Sequence, residues 1–301
     1  MKAYIQMLAT ARNTLFAVLL MGLAGCSTLQ ISLPPVTEAP TNNRLEGKII
    51  WHDLLTNDME GSQAFYSGLF GWDFEPVPLT LGFGRSSEYV LIRHKGRLIG
   101  GMFDTRDAGE QVNSSQWVAV MSVADIDAAA RTAETAGGTI LTPPTDLAAR
   151  GRIAVLKDST GALFALLQTA EGDPLDDPPR AGEFMWNELW TDDIEMAVDF
   201  YTALLPFRRV SQPVASGAYV ALSINNTPRF GMLENPINGL PPTWAPYLKV
   251  DDMAVLYSVE MLGGKVLLPA RPRELGGEVA LIQGPSGAGI GLHTWPEETQ
   301  Q

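Results

Sequence analysis

Short apolar runs in this chain alternate with segments whose apolar residues recur at helical spacing. Residues 49–56 (IIWHDLLT) alternate as a strand does. The next segment places Met59, Tyr66 and Leu69 on one face of a helix. Three further strands are expected at 72–77, 88–94 and 97–103. The pattern therefore predicts a βαβββ unit.

This unit occurs four times along the chain. A second unit begins with a strand at 117–123, and the segment 47–72 then returns at 182–207. At this constant offset of 135 residues, Trp51 corresponds to Trp186. We therefore predict an α+β fold with two similar halves, each built from a pair of βαβββ units.

Segments with many prolines and little periodicity separate the halves from each other and from the N-terminus. Their composition predicts flexible connections. The resulting division is a signal segment at 1–25, a tether at 26–46, a first domain at 47–169, a linker at 170–181, a second domain at 182–296 and a polar tail at 297–301.

The first 25 residues have the pattern of a secretory signal. Lys2 and Arg12 are positive, no acid occurs among them, and the apolar run 15–23 is too short to span a bilayer. The segment ends in LAGC, which resembles the lipobox of bacterial lipoproteins. The resemblance implies cleavage before Cys26 and attachment of lipid, with palmitate among its acyl chains, to that cysteine. Because Ser27 follows instead of Asp, we expect the protein on the outer membrane, facing the periplasm.

Composition and charge narrow the range of partners. The chain has one cysteine and can form no internal disulfide, but its 46% hydrophobic residues can build a core. Its 34 acidic and 21 basic residues give a net charge of −13, which argues against nucleic acid and anionic lipid headgroups as partners. We therefore expect membrane attachment through acyl chains, and a small neutral or cationic ligand.

Distinctive motifs are WxDLxTxD and FYxxLFGW in the first unit and PPxDLAARGRIAVLKDSTGALFAL in the second. Together they resemble the vicinal oxygen chelate superfamily, which includes glyoxalase I, extradiol dioxygenases and bleomycin-resistance proteins. The likeness is to the two-domain, glyoxalase-like branch. It implies that each pair of units forms a cupped mixed sheet with helices on the outside, and that function depends on the residues lining each cup.

Enzymes of this superfamily usually hold a divalent cation with His and Glu side chains on strands of the cup. In this chain the corresponding positions carry residues that cannot bind a metal: Trp51, Val118, Ala165, Trp186, Ala245 and Gly291. The resemblance therefore implies cups without a metal cofactor. An alternative is a residual site for a divalent metal in the second domain, built from Glu188 and His293.

Alternation along the first strand indicates what lines the cups instead. It turns Ile50 and Leu54 toward the helix and Asp53 toward the cup. A carboxylate among indole rings is costly to bury unless it is paired or used, which makes these residues candidates for ligand binding. If Asp53 is structural instead, Arg152 is a candidate partner. Over both halves the candidates are Trp51, Asp53, Trp117, Trp186, Glu188, Trp190 and Trp244.

Three functions are compatible with this sequence. The favoured one is an envelope lipoprotein that binds a small molecule in one or both cups without a metal. The second is an enzyme of the glyoxalase or dioxygenase type, with an atypical metal site around Glu188 and His293. The third is an envelope interaction module whose cups are closed by side chains. Metal content separates the second function from the others, and ligand screening separates the first from the third.

Overall fold

The computed structural model describes residues 31–81, 85–108, 115–214, 217–274 and 276–295. The predicted signal segment and Cys26 lie outside these residues. Within the described ranges, no helix is long and apolar enough to cross a membrane.

The described residues form sixteen strands and four α-helices, in the predicted order βαβββ repeated four times. The first half contains β1 (Ile49–Thr56), α1 (Met59–Phe70), β2 (Trp72–Leu81), β3 (Arg85–His94), β4 (Arg97–Asp104), β5 (Gln116–Ser122), α2 (Ile126–Thr135), β6 (Thr139–Asp146), β7 (Gly151–Lys157) and β8 (Leu163–Thr169). The second half contains β9 (Phe184–Thr191), α3 (Ile194–Leu204), β10 (Arg208–Val214), β11 (Gly217–Ile224), β12 (Thr227–Glu234), β13 (Thr243–Lys249), α4 (Leu256–Val259), β14 (Lys265–Pro272), β15 (Glu278–Gln283) and β16 (Gly289–Thr294). The side chains of Asp58, Asp125 and Asp193 cap α1, α2 and α3. The predicted α+β fold is therefore confirmed.

Each half folds into one eight-stranded mixed sheet. The strand orders are β2-β3-β4-β1-β5-β8-β7-β6 and β10-β11-β12-β9-β13-β16-β15-β14. The first strands of the two units pair antiparallel at the centre of each sheet, β1 with β5 and β9 with β13. We call the face that carries Trp51 and Leu55 the first cup, and the face that carries Trp190 and Tyr247 the second cup.

The helices cover the opposite face of each sheet, and there the two halves pack against each other. Phe65 and Tyr66 of α1 share a buried cluster with Leu248 and Ile290 of the second half. Helices α2 and α3 contact each other beside a second shared cluster. Burial of these apolar side chains joins the two halves.

A buried polar pair lies at the contact between the halves. Nε2 of His52 is 2.7 Å from Oδ1 of Asn187, which occupies the same position in the second half. The His52 ring also stacks on Phe184, with 3.8 Å between ring centres. Burial lowers the pKa of His52 to about 4. Because equivalent residues contact each other, the halves have a local two-fold relationship with this pair near its axis.

The described part of the predicted tether, residues 31–46, packs against the first domain and is not the flexible stretch that its prolines predicted. Ile31, Leu33 and Val36 are buried in the first cup. The Leu33 amide donates to the carbonyl of Leu147 at 3.2 Å. The sequence ISLPPV brings apolar side chains to an apolar surface, and their burial offsets the entropy lost on ordering. We call residues 31–36 the N-terminal segment.

The linker between the halves is also held in place where it leaves the first domain. Asp173 is completely buried, and its carboxylate accepts hydrogen bonds from the Leu45 amide at 2.6 Å and from the Thr169 hydroxyl at 2.9 Å. The Asp173 carbonyl accepts from the Thr41 hydroxyl at 2.9 Å. The end of the predicted tether and the start of the linker therefore stabilise each other.

Candidate functional site

The first strand of the first half presents its acidic residue to the cup. Trp51 and Leu55 belong to the apolar cluster of the first cup, whereas Leu54 belongs to a cluster on the helix side. Asp53 lies with Trp51, whose indole nitrogen donates to it at 2.9 Å. A β-bulge at the start of the strand moves Ile50 into the cup cluster, so its expected placement toward the helix is wrong.

Three side chains surround Asp53 and form what we call the first acid cluster. Oδ1 of Asp53 accepts hydrogen bonds from Nε1 of Trp51 at 2.9 Å and from the Tyr89 hydroxyl at 2.5 Å. Nη1 of Arg150 donates to the same hydroxyl at 2.8 Å. The Arg150 guanidinium also lies over the rings of Trp51 and Tyr89, 4.8 Å and 4.9 Å from their centres.

Glu188 is held in a similar way in the second cup. It pairs with the Arg273 guanidinium, and the indole nitrogen of Trp190 donates to its Oε2 at 3.3 Å. The hydroxyls of Tyr219 and Tyr247 also hydrogen-bond to Glu188. Arg273 lies over both phenol rings, 5.3 Å and 5.7 Å from their centres. The second acid cluster consists of Trp186, Glu188, Trp190, Tyr219, Tyr247 and Arg273.

Sequence reasoning missed the tyrosines, although a second repeat offset marks one in each cluster. The pair Tyr89 and Gly101 recurs 130 residues later as Tyr219 and Gly231. At Gly101 and Gly231 an added Cβ would lie 1.8 Å and 2.0 Å from the hydroxyl oxygen of the tyrosine in the same half. Glycine at these positions therefore provides the space that lets the tyrosine reach the acid.

The arginines of the clusters come from matching connections, before β7 in the first half and before β15 in the second. Arg150 is buried, and the Arg273 side chain is 15% exposed. Their positions do not follow a common repeat offset, so no sequence pattern identified them. Arg152, the suggested partner of Asp53, instead pairs with Asp127 at the surface, and that expectation is wrong.

Burial and pairing determine the protonation of the second cluster. Burial raises the pKa of Tyr219 and Tyr247, so both phenols remain protonated. Burial alone would lower the pKa of Arg273, but the charge of Glu188 raises it overall. The oxygens of Glu188 accept from an arginine, a tryptophan and the two tyrosines. A carboxylate with this many donors is poorly placed to act as a general base.

Opposing effects also act on Asp53, and there burial prevails. Burial raises the pKa of Asp53, and the charge of Arg150 and the hydrogen bonds from Tyr89 and Trp51 oppose that rise. In each cup the buried acid accepts hydrogen bonds from donors within the protein.

Two tryptophans that were candidates for the cups lie on the helix side instead. Trp117 stands directly opposite Leu54 in the antiparallel pair of β1 and β5, and cross-strand neighbours share a face. Its indole nitrogen donates to the Tyr66 hydroxyl at 3.2 Å. Trp244 donates to the Tyr201 hydroxyl at the same distance, 3.2 Å. Their predicted place in the cups is wrong, because both belong to the core between the halves.

The second cup does not offer a fitting set of ligands for a divalent cation. Glu188 is paired with a guanidinium, and Nε2 of His293 lies 3.0 Å from the carbonyl of Gly276. The Tyr247 ring fills the space beside Gly291, where an added Cβ would lie 2.3 Å from the ring. In the described part of the chain, no group of three or more His, Cys, Asp or Glu could hold a metal ion. The arrangement favours charge pairing within the protein.

The apolar walls of the two cups are covered to different degrees. Among the described residues, the cluster of the first cup has seventeen buried apolar residues and three partly buried ones. The cluster of the second cup has four buried and eight partly buried ones. The N-terminal segment supplies three of the buried residues of the first cup. In the described part of the second half, the connection between β12 and β13 contributes Ile237 and Leu240 to the second cup, and both remain partly exposed.

Known proteins have sequences similar to this chain. Residues 48–166 match the model of the Glyoxalase/Bleomycin resistance protein/Dioxygenase superfamily. "Anthracycline biosynthesis protein DnrV" from Streptomyces peucetius is 32% identical over 261 residues, which cover 82% of this chain and 92% of that protein. "Putative glyoxylase CFP32" from Mycobacterium tuberculosis (strain CDC 1551 / Oshkosh) is 29% identical over 247 residues, which cover 81% of this chain and 93% of that protein.

Solved structures show the same fold. The crystal structure of the Mn(II)-bound glyoxalase from Novosphingobium aromaticivorans has a TM-score of 0.58, with 17% identity over 86% of each chain. At this identity the likeness concerns the fold alone. Together with the sequence match to DnrV, the paired cupped sheets confirm the predicted resemblance: the chain belongs to the glyoxalase/bleomycin resistance protein/dioxygenase superfamily.

Proposed function

We propose that this protein is a lipoprotein of the bacterial cell envelope that binds a small apolar molecule in its second cup without a metal cofactor. The lipobox-like sequence ending at Cys26 supports the anchor, and Ser27 supports an outer-membrane location facing the periplasm. One observation carries the binding function. The apolar wall of the second cup is extensive, yet most of its described residues are only partly buried.

The accessible part of this wall suits a flat apolar ligand. Trp186, Leu233 and Leu267 are partly exposed and pack against the buried Trp190 and Tyr247. Ring faces and aliphatic side chains contact an aromatic molecule favourably. The name of the relative DnrV refers to anthracycline biosynthesis, and fused aromatic rings that bear carbonyl groups have the chemistry that this cup favours.

The balanced charges favour a neutral ligand over a cationic one. Because Glu188 is paired with Arg273, a cation would find no free counter-charge. A guanidinium has more N–H groups than one carboxylate contact uses, so Arg273 can also donate to a carbonyl oxygen. The first cup contains an interaction of this kind, in which Nε of Arg150 donates to the carbonyl of Pro34 at 2.9 Å.

The test is a calorimetric titration of the full chain carrying Cys26→Ala, in the presence of EDTA. The probes are 9-fluorenone, a neutral aromatic ketone, and fluorene, which lacks the oxygen. We expect 9-fluorenone to bind about ten-fold more tightly than fluorene, because only the ketone accepts a hydrogen bond.

A matched pair of variants assigns this binding to the second cup. Leu267→Asp should weaken both probes, whereas Leu175→Asp, at a position that is 57% exposed, should leave both affinities unchanged. The proposal fails if neither probe binds. Binding that requires an added divalent metal would also contradict it and would favour the enzyme of the glyoxalase or dioxygenase type.

The envelope location needs its own experiment. Metabolic labelling with palmitate should mark the parent protein and not Cys26→Ala, and this variant should leave the membrane fraction. If both proteins remain unlabelled and fractionate alike with membranes, the lipid anchor is refuted.

A further inference from the structure

The first cup contains a buried hydrogen-bond donor that pairs with no residue in the described part of the chain. Arg150 is 3% exposed. Its Nη1 donates to the Tyr89 hydroxyl and its Nε to the carbonyl of Pro34, but its Nη2 has no hydrogen-bond partner among the described residues. Leaving a buried charged donor unpaired costs free energy. The cup can therefore bind more than the N-terminal segment supplies.

The shape of the guanidinium indicates which group would use this donor. Nε and Nη2 lie along one edge of the guanidinium plane, and such an edge matches the two oxygens of a carboxylate. The single carbonyl oxygen of Pro34 occupies only Nε of Arg150. Nη1 is directed to Tyr89, which in turn donates to Asp53. A carboxylate at the free edge would thus be separated from Asp53 by the guanidinium and the phenol.

The space around this edge is apolar, and the N-terminal segment occupies it with few hydrogen bonds to the cup. Ile31, Leu33 and Val36 fill the cup with aliphatic side chains. In the described part of the chain, hydrogen bonds at Leu33 and Pro34 join the segment to the cup. Farther along, Thr41 bonds to the carbonyl of Asp173 and would keep the rest of the stretch in place. The segment could leave the cup without unfolding the domain.

We propose that the first cup is a second binding site, for a small apolar carboxylic acid that displaces the N-terminal segment and binds Nε and Nη2 of Arg150 with both oxygens. This site does not depend on the function proposed for the second cup. The acidic composition of the chain favoured a neutral or cationic ligand, but the local guanidinium determines which charge the first cup accepts.

The test compares decanoate with decanamide, which have the same apolar chain and differ in the head group. Both are titrated by calorimetry into the full chain carrying Cys26→Ala, and into the same protein with Leu33→Ser, which weakens the hold of the segment. We expect decanoate to bind the Leu33→Ser protein roughly ten-fold more tightly than the parent, and roughly ten-fold more tightly than decanamide. The matched change Leu175→Ser should leave both affinities at the parent values.

Further variants assign the binding to Arg150 and to the first cup. Arg150→Gln, added to Leu33→Ser, should remove the preference for decanoate, whereas Arg152→Gln should preserve it. Leu267→Asp, in the second cup, should leave the affinity for decanoate unchanged.

Three results would overturn the proposal. They are equal affinities for the acid and the amide in the Leu33→Ser protein, binding of neither, and a preference that survives Arg150→Gln. If Arg150→Gln does not fold, the ratio of acid to amide affinity in the Leu33→Ser protein decides alone.

Discussion

The two cups contain similar acid clusters, each of which we call the polar frame of its cup, and they differ in how far their walls are covered. In both, a buried acid is surrounded by tryptophan, tyrosine and arginine. Around this frame both walls are mainly aliphatic, but the first cup is filled by the N-terminal segment and the second is only partly covered. The second frame is also the more aromatic, because Trp190 and Tyr247 stand at the positions of Leu55 and Val120 in the first cup, and His293 stands at the position of Leu167.

This difference separates residues that serve the fold from residues that a ligand would meet. A frame present in both halves, whether or not the cup is filled, is explained by the need to pair a buried acid. Asp53 and Glu188 were proposed from the sequence as ligand anchors, but their oxygens accept hydrogen bonds within the frame. The exposed walls and the arginines are the groups that remain for binding.

Removing the arginine from the second frame should have the largest effect. Arg273→Met leaves Glu188, whose side chain is 1% exposed, without its charge partner. We expect a loss of about 3–5 kcal/mol in the free energy of unfolding, measured with urea. The double variant Glu188→Gln/Arg273→Met should recover much of it. An unchanged stability in the single variant would show that the frame does not stabilise this cup.

His52 should make stability depend on pH, whereas Asn187 at the equivalent position cannot titrate. The pKa of His52 is about 4 in the folded protein and 6.5 in its ordinary state, so the unfolded chain gains the proton first as the pH falls. The stabilisation is complete above pH 6.5 and is lost as the pH falls toward 4, by up to about 3 kcal/mol. Urea unfolding from pH 7 to 4 should show this loss in the parent and not in His52→Gln. A parallel decline in both proteins would exclude His52 as its source.

Truncating one leucine in each cup should lower the free energy of unfolding more in the filled first cup than in the partly covered second cup. Leu33→Ala removes a buried side chain that fills the first cup and should cost about 2–3 kcal/mol of stability. Leu267→Ala removes a partly exposed side chain and should cost less, about 1 kcal/mol. Thermal and urea unfolding measure both. Equal losses would mean that the two cups are covered to the same degree.

Replacing the glycines beside the tyrosines should lower the free energy of unfolding equally in both halves. Gly101→Ala and Gly231→Ala each force a methyl group against the neighbouring hydroxyl and should cost at least about 1 kcal/mol. Gly289→Ala is the control, because its nearest neighbour would lie 4.0 Å from the added Cβ. A loss confined to one half would show that the frame is not shared.

Periodicity identified the four units and the acids of the cups because these features depend on local alternation and on one repeat offset. The same reasoning failed for Trp117 and Trp244, which stand at the starts of their strands, where their facing depends on cross-strand register. It also failed for Ile50, because a bulge reverses the alternation there. Register and bulges depend on the partner strand and cannot be read from one strand.

The other features that the sequence did not predict involve contacts between residues that are far apart in sequence. The N-terminal segment was predicted to be part of a flexible tether, because the sequence shows its prolines but does not show the cup that buries it. Arg150 and Arg273 reach the acids from connections that follow no common offset. Such contacts are determined by the folded sheet, so only the three-dimensional structure identifies them.

Fluorine NMR of the protein labelled with 5-fluorotryptophan distinguishes the two cups in one experiment, because it follows all seven tryptophans at once. Single substitutions by phenylalanine assign the signals. When 9-fluorenone is added in the presence of EDTA, we expect the signals of Trp186 and Trp190 to shift and that of Trp51 to stay in place. A shift of Trp51 with the other two unmoved, or shifts that appear only after a divalent metal is added, would contradict a metal-free binding site in the second cup.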